Sequence, residues 1–87
     1  MRRRVVISGR VQGVFFRDSL RRLAVRHGVA GWARNTREGT VEAVFEGDSD
    51  GVEQLLSFAR TGPQSAAVED VAVFEEEPEG LSGFSVR

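Results

Sequence analysis

Between Gly9 and Arg17 the chain reads GRVQGVFFR, and no other stretch limits the possible folds as much. A strand pattern, Arg4–Gly9, runs into it, with Val5 and Ile7 alternating with Val6 and Ser8. A helical pattern leaves it at Arg17. The connection carries two glycines, so the backbone can turn through torsions that other residues avoid and can present several free amides to one side. A helix start adds unpaired N–H groups with partial positive charge. Such a passage suits an anion, with Gly9, Arg10, Val11, Gln12, Gly13, Val14 and Phe15 as candidate loop positions. Arg17 then supplies a planar, permanently charged fork that matches phosphate oxygens.

The remaining patterns alternate between strand and helix. Leu20, Leu23, Ala24 and His27 fall on one stripe of a helix over Arg17–Gly28, and Gly28 is its natural stop. Val29–Thr36 and Thr40–Glu46 read as strands joined through Arg37, Glu38 and Gly39, with Val41, Ala43 and Phe45 facing the core. Asp48 or Ser49 caps a second helix whose Val52, Leu55, Leu56 and Ala59 share a face, and Gly62-Pro63 ends it. Val68–Phe74 is a fourth strand, followed by an acidic loop, Glu75–Gly80, and a short edge strand at Phe84–Arg87. The order predicts one α+β domain over residues 1–87. It is a ferredoxin-like βαββαβ sandwich, an antiparallel sheet of four to five strands with both helices on one face.

Composition removes several chemistries. There is no cysteine, so thiolate nucleophiles, disulfides and Fe–S clusters are excluded, and one histidine argues against a histidine-rich metal site. No apolar run approaches the roughly 20 residues of a membrane span. MRRR is followed by a core too short for a signal peptide, so the sequence points to the cytoplasm. The net charge of −1 conceals an asymmetry: residues 1–37 carry ten arginines and one acid, residues 38–87 two arginines and twelve acids. The halves are expected to interleave and neutralise each other. Against a nucleic-acid surface stands the first strand, whose Val5, Val6, Ile7 and Ser8 include no aromatic for base stacking.

Two motifs together resemble the acylphosphatase family. The first is Gly9, Val11-Gln12-Gly13-Val14 and Phe16-Arg17. The second is Gly31-Trp32, Asn35, the turn glycine Gly39, Thr40-Val41 and Glu46-Gly47. Gly62-Pro63 and the terminal Phe84–Arg87 also fit, and the resemblance covers nearly the whole chain. Ala33 and Ala67 depart from it, standing where a larger β-branched and a basic residue are common.

The resemblance implies hydrolysis of a carboxyl–phosphate anhydride to carboxylate and inorganic phosphate, with no metal or other cofactor. The phosphate would lie in the Gly9–Phe15 loop against Arg17, while Asn35 would hold the attacking water. Acetyl phosphate, carbamoyl phosphate and 1,3-bisphosphoglycerate are all compatible substrates. The expected partner is a small-molecule acyl phosphate, with no nucleic-acid or membrane partner; a monomer is expected, though an exposed sheet edge leaves pairing with another chain open. Two other functions compete: a non-catalytic anion-binding module of the same fold, and an RNA-binding ferredoxin-like domain. The absence of an attached domain and the presence of both Arg17 and Asn35 weigh against the first.

Other residues have plainer readings. Thr36 either starts the turn or orients Asn35 through its hydroxyl, and Gln12 either props the loop or faces solvent. Phe15, Phe16 and Trp32 read as packing residues. Glu75-Glu76-Glu77 reads as a solvated loop, since consecutive residues point in different directions and do not converge on a metal.

Overall fold

The computed structural model describes all residues, Met1–Arg87. Strand β1 spans Arg2–Arg10, helix α1 Phe16–His27, β2 Ala30–Asn35, β3 Val41–Glu46, α2 Ser49–Ala59, β4 Ala67–Glu75 and β5 Phe84–Val86. All seven elements stand where the sequence patterns place them, with ends moved by one or two residues. The strands form one sheet in the order β4-β1-β3-β2-β5. No helix is long and apolar enough to cross a membrane.

Strand alternation fixes which face is covered. Val5 and Ile7 of β1, Ala33 of β2 and Val41, Ala43 and Phe45 of β3 are all buried, as are Phe16, Leu20 and Ala24 of α1 and Val52, Leu55, Leu56 and Ala59 of α2. Together they form one core between the sheet and the two helices. Leu23 and His27 lie at its half-buried edge. At the start of α2 it is Asp48, not Ser49, that caps: its Oδ1 accepts from the Gly51 amide at 2.8 Å.

The expectation of a wholly antiparallel sheet needs correction. β5 pairs with β2 in parallel, Gly31 opposite Phe84 and Ala33 opposite Val86, so the sheet is mixed. The reason lies in the preceding loop. β4 ends beside Arg3, at the end of the sheet where β2 begins opposite Glu46. The chain crosses at that same end, held there because Glu46 accepts hydrogen bonds from the amides of Glu79, Gly80 and Leu81. It therefore reaches β2 at its first residues and must run alongside it.

The acidic loop is not simply solvated. Glu46 and Arg2 form a buried pair at 3.1 Å, with only 7% and 6% of their surfaces exposed. Arg2 also reaches Glu76 and Glu79, and Arg4 bonds Glu76 at 2.8 Å. Arg3 pairs with Glu75. Basic start and acidic tail do neutralise each other, as expected from the charge asymmetry. The Glu79 amide, with those of Leu81 and Gly80 and the Arg2 guanidinium, outweighs burial and lowers the Glu46 pKa to about 2. Burial opposes the Arg2 charge, but hydrogen bonds to Glu76 and Glu46 outweigh it and raise its pKa.

Candidate active site

The loop between β1 and α1 is shaped by two left-handed residues, Gly13 at φ 74° and Phe15 at φ 63°. A Cβ on Gly13 would meet no atom within 4 Å, so its requirement is one of torsion rather than close packing. Gly9, at φ 115°, differs: a Cβ there would strike the Ala67 carbonyl oxygen on β4, where the β1–β4 register shifts. Gly9 and Arg10 belong to β1 and do not line the pocket described below. Val11 and Val14 are buried and anchor the loop to the core.

The amides of Gln12, Gly13, Val14 and Phe15 donate to no other backbone group of the chain. α1 has no side-chain cap at its N-terminus, so the first turn keeps its free N–H groups and partial positive charge. Gln12 props the loop, its Nε2 donating to the carbonyls of Thr36 at 2.8 Å and Thr40 at 3.0 Å. This bond couples the loop to the β2–β3 turn that follows Asn35.

Arg17 and Asn35 meet at an open pocket of about 250 Å³ lined also by Val11, Gly13 and Phe15 of the loop. Asn35 ends β2, paired with Val41. Its Oδ1 is buried and has no hydrogen-bond partner. A buried carbonyl oxygen without a partner costs roughly 1–3 kcal/mol, so a native structure that keeps one usually has a use for it. Arg17 Nη1 donates to the Arg87 backbone oxygen at 2.7 Å, which steadies the guanidinium and leaves its other N–H donors available. Arg87 in turn donates from its amide to the Ala33 carbonyl and lays its guanidinium over the Trp32 ring at 4.6 Å.

Two expectations change at this site. The Thr36 hydroxyl bonds that of Thr40 at 2.7 Å and does not serve Asn35, so Thr36 shapes the turn. Phe16 packs as expected, 2% exposed and edge-on to Phe58 at 6.1 Å. Phe15 does not pack: it is 80% exposed at the pocket. Phe16 begins the buried stripe of α1, and the left-handed turn at Phe15 sends its neighbour the other way. Sequence reasoning also missed Asp18 and Val86 as lining residues and the Arg87 oxygen as a partner of Arg17. Only the position of Phe84–Arg87 as an edge strand hinted at the last two. The chain brings together no cluster of three or more His, Cys, Asp or Glu side chains suited to a metal.

Fold and pocket thus define a ferredoxin-like α+β protein with a loop of free amides beside an arginine. The acylphosphatase family model matches residues 3–86, and the chain belongs to that family. It is 57% identical over 86 residues to an acylphosphatase of Rubrobacter xylanophilus, covering 97% of this chain and 77% of that one. Among solved structures, the acylphosphatase from Bacillus subtilis superposes with a TM-score of 0.93 at 31% identity, over 99% of this chain and 97% of the other. An acylphosphatase from Coxiella burnetii gives a TM-score of 0.93 at 41% identity, over 99% and 90%.

Proposed function

We propose that the chain hydrolyses acyl phosphates to a carboxylate and inorganic phosphate, with Arg17 and the Gly13–Phe15 amides on the phosphoryl oxygens and Asn35 on the water. The observation that carries the residue roles is that Asn35, whose buried Oδ1 lacks a hydrogen-bond partner, lines the same pocket as Arg17. A turn of the Asn35 side chain lets its carbonyl oxygen accept a hydrogen bond from water and aim the water's lone pair, while the NH₂ remains a donor. Membership of the acylphosphatase family supports the reaction itself.

The water oxygen attacks phosphorus, and the bond from phosphorus to the bridging oxygen breaks. The electron pair leaves on the carboxylate, a good leaving group that needs no strong acid from the protein. The water's proton passes to a phosphoryl oxygen and then to solvent. Such chemistry asks the protein for position and for charge stabilisation on the equatorial oxygens, which fixed amides and a guanidinium supply. The proposal takes the catalyst as a monomer. The proposal has it working in the cytoplasm, without nucleic acid and without a metal.

An assay with an aryl acyl phosphate beside a phosphate monoester, in EDTA, tests the reaction. Turnover of the acyl phosphate alone, competitively inhibited by phosphate, is expected. Loss of activity in EDTA with recovery on adding a divalent ion would overturn the metal-free mechanism.

A further inference from the structure

Resting on the hydrolysis proposed above, we infer that Phe15 and Val86 select acyl phosphates with an apolar, aromatic or branched acyl group. Phe15 bears two costs that nothing within the fold offsets. It is the only non-glycine residue at positive φ, at 63°, a strained conformation for an L-residue. Its ring is 80% exposed to water, the most exposed of the large apolar side chains. Glycine would satisfy the turn without strain, as Gly13 does two residues earlier. Strained residues persist where the surroundings hold them for a purpose.

The pocket gives the ring a purpose. Phe15 stands on the anion loop, fixed by its own carbonyl, which accepts from the Ser19 amide at 3.0 Å and the Ser19 hydroxyl at 2.8 Å. Val86, 41% exposed, comes to the same pocket from β5. The other two apolar lining residues, Val11 and Phe16, are buried in the core and leave no surface to share. Two exposed apolar side chains from separate elements thus flank the space beside Arg17 and Asn35. A phosphoryl group held by the loop directs its acyl substituent outward, between Phe15 and Val86. An apolar substituent there removes both side chains from water, while acetyl is too small to reach them.

The test measures kcat/KM for benzoyl phosphate and acetyl phosphate in the parent, Phe15→Gly and Val86→Ser, and reads the ratio of the two. Phe15→Gly relieves the backbone strain, and Val86→Ser changes an exposed edge position, so both are expected to fold. The benzoyl-to-acetyl ratio should favour benzoyl in the parent and fall by about tenfold in Phe15→Gly, with a smaller fall in Val86→Ser, the usual scale for apolar discrimination. The loss should lie mainly in KM. An unchanged ratio, with both substrates hydrolysed, would overturn the selection and leave the hydrolysis standing. Hydrolysis of neither by the parent would overturn both.

Discussion

The two ends of the sheet treat polar groups in opposite ways. At the end where β1 begins, Glu46 is saturated by three amides and the Arg2 guanidinium, and Arg2 spreads over three carboxylates. At the end where β2 finishes, the loop amides from Gln12 to Phe15 have no backbone acceptor and Asn35 Oδ1 is buried unpaired. A satisfied network fixes a fold and has no capacity for a ligand. An unsatisfied one is held open by packing elsewhere, and under the proposed roles it would take an oxyanion and a water. Stability and chemistry are therefore separated along one axis, and substitutions at the two ends should have different signatures.

The largest effect is expected from Arg17→Ala, with kcat/KM falling by about 10³-fold or more and phosphate affinity falling with it. Arg17→Lys should recover little, because a point charge lacks the two parallel bonds of the fork. Steady-state kinetics with phosphate as inhibitor checks both variants. Next comes Asn35→Ala, where kcat should drop by about 10²-fold while the phosphate inhibition constant stays near the parent value. Equal loss of phosphate affinity in the two alanine variants would erase the division of labour between them.

At the opposite end, Glu46→Gln should keep turnover at neutral pH but lose stability there, and the deficit should shrink in acid. The Glu46 pKa is lowered from 4.5 to about 2 on folding, so its ionised form favours the fold above 4.5. That contribution is lost as pH falls from 4.5 through about 2. The parent's Tm should drop across that window, and the variant's more shallowly from a lower start. Glu76, lowered by Arg4 and Arg2, adds a slope that the variant retains. Thermal unfolding against pH measures both. The smallest change is Gly13→Val, which forces a branched residue to φ 74° and should destabilise by about 1–2 kcal/mol. It should also weaken phosphate inhibition, whereas unchanged inhibition would mean that the loop backbone does not hold the anion.

The sequence shows the functional end more clearly than the structural one. Gly9–Arg17 and Asn35 are local signals: glycines mark a turn, and a strand–loop–helix order brings free amides to one place. Glu46 closes the second motif, but nothing around it in the sequence tells what it bonds. Its partners lie 33 to 44 residues away, and three of the four are backbone amides, which have no sequence identity. The parallel β5 follows from that same contact, so it too was illegible. Phe15 and Phe16 show a finer limit. Adjacent and chemically identical, they differ only in one left-handed torsion, and that torsion decides which is core and which faces the pocket.

The central claim is that water held by Asn35 attacks phosphorus, and the fate of the water oxygen tests it most directly. Hydrolysis of benzoyl phosphate by the parent chain in water carrying heavy oxygen should place the heavy atom in inorganic phosphate and none in benzoate. Heavy oxygen in the benzoate would mean attack on the acyl carbon, and would contradict the roles given to Asn35 and Arg17.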